Sequence, residues 1–308
     1  MMEIDAVITW VDGNDPTLAE KRRAYAPASS LEREDVGGAT RFASIGEIHW
    51  CIASINRFAP WIRRIYIVTD GQNPCVQSSI PVEIVDHKTI FAGYEEYLPT
   101  FNSVSIETMM WRIPGLSEHF IYFNDDLMLL RECSPEDFFT PEGRPYCAAR
   151  MVSRHWMQLL RDLKPSQGGV RPVTIKTTML QSVAIAGNPL RFPFLEHTPR
   201  PYLKSFFEKT YAERPCLIER NISERFRSCN QFRVDTLHYM LLLEEGGAEL
   251  TSWKKNLLYL QAKPEPGYVE RHLARKGDWR FACFNSLDRA LPEALDAVKA
   301  FVSAVLAR

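Results

Sequence analysis

Residues 120–126 read Phe120-Ile121-Tyr122-Phe123-Asn124-Asp125-Asp126. Four bulky apolar or aromatic residues in an unbroken run read as a strand buried on both faces, the pattern of a parallel sheet covered by helices. Three polar residues follow without a gap. A turn or a helix cap needs one Asp or Asn; here an Asn and two Asp stand together. Ligands of an open parallel sheet bind outside the carboxyl ends of its strands, so Asn124, Asp125 and Asp126 are read as site residues. Adjacent carboxylates raise one another's pKa, and a divalent cation removes that cost. Asp125 and Asp126 are therefore the expected metal ligands, for Mg2+ or Mn2+, which take oxygen donors and substrate phosphates.

The chain on either side agrees. Runs rich in β-branched and aromatic residues recur at 4–10, 65–69 and 82–85. Between them lie helical patterns at 44–58 and 103–112; the first sets Ile45, Ile48, Ile52 and Ile55 on one face, with Pro60 after its end. Strands alternating with helices imply βαβ units and an α/β fold with a mainly parallel sheet. The first strand runs into Trp10-Val11-Asp12-Gly13 and the second into Thr69-Asp70-Gly71-Gln72, so three acidic turns should open on one crevice. Beyond residue 140 the pattern turns mainly helical, at 154–163, 173–186, 199–211, 233–245 and 291–306. The expectation is one catalytic domain over 1–308: an α/β core over 1–140, and a helix-rich part over 141–308 packed on its sheet. The loop Lys164-Pro165-Ser166-Gln167-Gly168-Gly169-Val170-Arg171-Pro172 reads as the most flexible segment, either a lid or a surface loop.

With 308 residues, 45% hydrophobic and 24% charged, the composition is that of a folded globular protein. No apolar run approaches the roughly 18 residues of a membrane span. The N-terminus carries Glu3 and Asp5 and no basic stretch, which does not read as a secretion signal and gives a cytoplasmic expectation. The seven cysteines stand singly, with no CxxC, so they read as reduced structural thiols, and their spacing offers no zinc site. The net charge of −1 hides a gradient: residues 1–140 hold 11 Lys and Arg against 21 Asp and Glu, and residues 141–240 hold 16 against 8. Carboxylates for a cation followed by cations for phosphates suit one site. The basic residues are dispersed and lack the aromatic-and-basic stripe of a nucleic-acid binder.

Four blocks, in order, resemble the Stealth family. They are Ile4 to Pro16; Arg41-Phe42, Glu47 and Ala59 to Gln72; Tyr97 to Ser103, Ile106-Glu107, Arg112 to Ser117 and Phe120 to Asp126; and His197, Pro199, Arg225 to Ser228 and His238-Tyr239. The resemblance implies a glycosyltransferase-A-like, Rossmann-like core. It also implies a reaction in which an acceptor sugar hydroxyl attacks the β-phosphorus of a nucleotide sugar, sugar-1-phosphate is transferred and a nucleoside monophosphate leaves. The family's essential aspartate falls on Asp5, its Asn-Asp-Asp on 124–126, and its histidine and arginine on His197 and Arg227. Asp5, Asp126, His197 and Arg227 are thus the implied catalytic set. Either His197 or one of the aspartates takes the acceptor proton. Contacts to donor or acceptor are expected from Trp10, Asp12, Gly13, Arg41, Asp70, Gly71, Gln72, Asn102, Ser103, Glu107 and Asn124. The implied partners are a nucleotide sugar, UDP-N-acetylglucosamine by analogy, and an oligo- or polysaccharide acceptor, with any contact to a capsule export complex or the inner face of the membrane peripheral. The sequence departs from the family where His49 and Ala53 replace usual arginines and Gln231 an usual acid. An ordinary glycosyltransferase that releases UDP and a nucleotide-sugar-binding protein without catalysis are the rival readings.

Overall fold

The computed structural model describes residues 2–26, 42–163, 173–275 and 277–307. The four apolar runs are the strands β1 (Ile4–Thr9), β2 (Ile65–Thr69), β3 (Val82–Asp86) and β4 (His119–Asn124). They pair in parallel in the order β3-β2-β1-β4. The later strands are β5 (Leu127–Leu129), β6 (Tyr146–Ser153), β7 (Arg191–Leu195), β8 (Arg200–Leu203), β9 (Glu249–Thr251), β10 (Leu257–Gln261) and β11 (Phe281–Asn285). β8 closes the main sheet as an antiparallel edge beside β4. β10, β11 and β5 form a second sheet, and β7, β6 and β9 a third.

The helices that matter below are α1 (Pro16–Tyr25), α2 (Glu47–Phe58), α3 (Ser103–Met109), α4 (Lys204–Glu213), α5 (Val234–Glu244) and α6 (Pro292–Leu306). β1 alternates between two cores. Ile4, Ala6 and Ile8 join Ile121 and Phe123 in a cluster with α2, β5, β10, β11 and α6. Val7 joins Tyr66, Val68, Phe120 and Tyr122 in a second cluster with α3, α4 and α5. Both faces of the sheet are covered, as continuous apolar strands require. α2 begins at Glu47 and not at residue 44, because Gly46 before it takes a left-handed φ of 95° that a helix cannot contain.

The second half differs from the sequence expectation. Six of the strands lie beyond residue 140, where mainly helices were expected. The stretch 199–211 is not one helix: it opens with β8 and turns helical only at Lys204. Pro201 lacks an N–H, which an edge strand tolerates and a helix interior does not. The expected lid, 164–172, lies outside the described residues, as does Arg41.

Candidate active site

Thr9 at the end of β1 pairs with Val68 of β2 on one side and with Asn124 of β4 on the other. β1 is thus the strand from which the order runs both ways, and the crevice beyond it is where open sheets bind ligands. β4 ends at Asn124, and Asp125-Asp126 form the bend through which the chain leaves the main sheet for β5. β11 fixes this bend from the far side: the Phe284 N–H donates to the Asp126 carbonyl at 3.0 Å. The Asp126 carboxylate Oδ2 accepts from the Cys283 thiol at 3.4 Å and from Asn285 Nδ2 at 3.4 Å. His197 brings Nε2 to 3.9 Å from the same oxygen and to 3.5 Å from Asn124 Nδ2. The edge of Tyr259 covers the His197 ring, with centroids 5.9 Å apart.

Glu47, at the first turn of α2, adds a third carboxylate. It accepts from the Ile45 N–H at 2.8 Å and from Ser44 Oγ at 3.3 Å. Burial, and then the charges of Asp126 and Glu47, push Asp125 well above the ordinary carboxylate range. Burial also raises Glu47, and Asp126 adds to that. Asp126 is the exception: burial would raise it, but His197, Cys283 and Asn285 outweigh burial and hold it low. Asp126 Oδ1 is buried and has no hydrogen-bond partner. Carboxylates that raise one another's pKa, one with an orphaned oxygen, are costly for protein alone, and a hard dication would relieve that cost. The oxygen donors of Asp125 and Asp126 are of the kind that Mg2+ or Mn2+ takes, and Glu47 acts on both electrostatically.

A second group lies under the crevice on the α3 face. The Tyr122 and Thr9 hydroxyls meet at 2.8 Å, and the Arg200 guanidinium lies 5.9 Å from the Tyr122 ring. Arg233 clasps Asp235 with two nitrogens, and Arg200 Nε stands 3.4 Å from the same carboxylate. Arg227 donates to Ser103 Oγ at 2.9 Å. Glu107, one turn along α3, faces Arg233, Arg200 and Arg227; burial raises its pKa against their pull. Burial alone would raise Asp235 too, but Arg233 and Arg200 hold it below the carboxylate range. Arg200 is 6% exposed, and its buried Nε has no hydrogen-bond partner among the described residues. Planar guanidinium groups of this kind suit phosphate oxygens.

The expected site residues divide accordingly. Asn124, Asp125, Asp126 and His197 come together. Arg227, Ser103 and Glu107 come together beside them. Trp10, Asp12, Gly13, Asp70, Gly71 and Gln72 line the ends of β1 and β2, with several polar groups engaged locally. Gln72 accepts from the Asp12 N–H at 2.9 Å and donates to Asp15 at 2.8 Å, while Asp70 pairs with Lys21 at 2.8 Å. A Cβ at Gly13 would stand 1.8 Å from the Phe42 carbonyl, so only glycine fits.

Two expectations need correction. Asp5 lies at the opposite end of β1, roughly 13 Å from Thr9 at the rise of a strand. It is fully buried, where it accepts from Arg63 at 2.9 and 2.6 Å and from the Ser117 N–H at 2.8 Å. There it ties β1 to the entries of β2 and β4, at the far end of the strand from Asn124 to Asp126. Asn102 is fully buried too: it caps α3 through the Val104 N–H and donates to Glu224 O and Gln231 Oε1. Gln231, one of the departures, is a core amide that also donates to Asn221 O at 2.7 Å. Sequence reasoning missed Glu47 as a site acid, and Arg200, Arg233, Asp235, Tyr259, Cys283 and Asn285. For the last two a signal existed: Phe281-Ala282-Cys283-Phe284-Asn285 repeats the aromatic-strand-then-Asn pattern of Phe120 to Asn124.

The chain is similar to known proteins over most of its length. Residues 2–30 match the model of Stealth protein CR1, conserved region 1, and residues 41–147 that of Stealth protein CR2, conserved region 2. The chain is 29% identical to the capsular polysaccharide phosphotransferase WcwK of Streptococcus pneumoniae, over 93% of this chain and 91% of that protein. It is 30% identical to the receptor polysaccharide phosphotransferase WefC of Streptococcus oralis over 78% of each. An exopolysaccharide phosphotransferase of Streptomyces coelicolor is 48% identical over 46% of this chain, which spans only 26% of that longer relative. The chain belongs to the Stealth family of polysaccharide phosphotransferases.

Proposed function

We propose that the protein transfers a hexose-1-phosphate, of the N-acetylhexosamine type, from a UDP-sugar to a hydroxyl of an acceptor saccharide on a glycosyltransferase-A-like core. The transfer forms a phosphodiester, releases UMP and serves capsule or exopolysaccharide synthesis. The observation that carries this reading is the Asp125-Asp126-Glu47 carboxylate group set against His197, with the arginine-rich group of Arg200, Arg227 and Arg233 beside it. Phosphoryl transfer asks mainly for positioning and for neutralisation of charge on the equatorial oxygens. A bound Mg2+ or Mn2+ would polarise the diphosphate and offset its charge. Asp125 and Asp126 would hold that ion, with Asn124 keeping His197 and the bend in register. Arg227, steadied by Ser103, and Arg200, steadied by Asp235, would bind the phosphoryl oxygens through their planar forks. His197 Nε2, half exposed beside Asp126, would accept the acceptor's proton as the new P–O bond forms. The turns after β1 and β2 would face the nucleoside. No helix among the described residues is long and apolar enough to cross a membrane.

The test is the nucleotide released from UDP-sugars by the Mg2+-loaded protein with short oligosaccharide acceptors, together with the ³¹P signal of the product. UMP and a phosphodiester resonance are expected. Release of UDP with no phosphorus in the product would make the protein an ordinary glycosyltransferase.

A further inference from the structure

The transfer chemistry makes no use of Cys283. Its Sγ nevertheless lies 3.4 Å from Asp126 Oδ2, and His197 Nε2 lies 3.9 Å from that same oxygen. One ligand atom of each residue lies within 4.8 Å of the others. Zinc binds sulfur, nitrogen and oxygen at about 2.0–2.3 Å in a tetrahedron, which sets neighbouring ligands about 3.3–3.6 Å apart. Two of the separations already approach this, and a shift of about an ångström completes the set. The donors also sort by hardness. Asp125 and Glu47 offer oxygen, which suits Mg2+, whereas a thiol and an imidazole suit borderline-soft ions. Two of the three donors are held from outside: Asn285 and the Phe284 N–H grip Asp126, Asn124 meets His197, and Tyr259 covers the imidazole. Such outer contacts keep ligands oriented before an ion arrives. Because residues 126, 197 and 283 come from three distant stretches, no spacing in the sequence announces them.

We propose that Asp126, His197 and Cys283 form a site for a thiophilic divalent cation of the zinc class, whose occupation switches the transfer reaction off. On binding, the Cys283 S–H bond breaks, a metal–sulfur bond forms and the proton passes to solvent, with no change of oxidation state. A fourth position stays open for water or a phosphate oxygen. The bound ion removes Asp126 from the hard cation and ties up the His197 nitrogen. The inhibitory half rests on the roles given to Asp126 and His197 in the transfer reaction; the binding half does not.

Co2+ is the probe, in a chain whose more accessible Cys75, Cys216 and Cys229 are serine. The parent chain should take one Co2+, show a sulfur-to-cobalt charge-transfer band and release about one proton per ion. Cys283→Ser should lose the band, and His197→Gln, at a half-exposed position, should weaken Co2+ binding by at least about tenfold. If Cys283→Ser does not fold, the His197→Gln titration decides. A parent chain without the band, or a band and affinity unchanged in the variants, overturns the site. Separately, Zn2+ added to the Mg2+-loaded protein should stop UMP release until a chelator is added; undiminished turnover overturns the inhibitory half. If no nucleotide is released under any condition, the transfer reading fails while the cobalt result stands on its own.

Discussion

Asp126 has two oxygens in opposite circumstances: Oδ2 is surrounded by donors and Oδ1 is buried without one. Asp126→Ala should therefore lower Mg2+-dependent nucleotide release by at least roughly 10³-fold, the effect of several kcal/mol of lost charge stabilisation. Asp125 should behave differently in the metal-free protein. Its folded-state pKa is raised, so the native state holds its proton more tightly than the unfolded chain does. Its contribution to stability is then lost as pH rises from the unfolded carboxylate range, near 4, through the raised folded value. Asp125→Asn should raise the metal-free melting temperature at pH 7 by about 2 °C or more, with the gain shrinking toward pH 4. It should also abolish the further rise that Mg2+ gives the natural chain, both read by thermal unfolding. Asp5→Asn is the opposite case, since it breaks a buried carboxylate's pairing with Arg63 and Ser117. Stability should fall by about 3 kcal/mol in denaturant titration, while turnover per folded molecule is retained. A loss of turnover without a loss of stability would return Asp5 to the catalytic set. These residues show what a sequence can and cannot carry. Asn124, Asp125 and Asp126 were legible because their chemistry and their place at a strand end coincide. The resemblance put Asp5 in the catalytic set, but the end of the strand at which it sits was not legible in the run of residues.

At the scale of elements, the parallel strands were legible because burial on both faces demands unbroken apolar runs, as in Ile65 to Thr69 and Phe120 to Phe123. β8 was not. Its four residues, Arg200-Pro201-Tyr202-Leu203, are short, contain a proline and carry a charge. Their strand character comes from β4, which pairs Tyr122 with Arg200 and Ile121 with Pro201. That pairing also sets Arg200 beside Asp235 and beneath the crevice, so the element that was misread carries a site residue that was missed. Arg200→Met should leave the fold intact, because Arg233 still satisfies Asp235. It should weaken UDP binding in the presence of Mg2+ by roughly 10–100-fold, the worth of about 1.5–3 kcal/mol for charged hydrogen bonds. Calorimetric titration with UDP, alongside thermal unfolding, separates this from a structural role, in which the melting temperature would fall and the affinity would hold.

At the scale of the whole molecule, the crevice is assembled from both ends of the chain. β5 leaves the Asp125-Asp126 bend and pairs with β11, which pairs with β10 and packs on α6 through the core shared with β1 and α2. The charge gradient had made this division visible in outline, acids early and bases later. What it could not show was that neutral residues of the last quarter, Cys283 and Asn285, hold the bend. Ending the chain after Thr251 should remove cooperative unfolding and all nucleotide release, even though every acid and base of the proposed reaction would remain. The grip of Asn285 on Asp126 also spans 159 residues. A ribosome adding 5–20 residues per second needs about 10–30 s to cross that interval. For that time a nascent chain already displays its aspartate pair without the contacts that β11 supplies. Under the proposed reaction, the crevice is therefore completed only after β11 has been synthesised, and a half-made chain would not consume a nucleotide sugar.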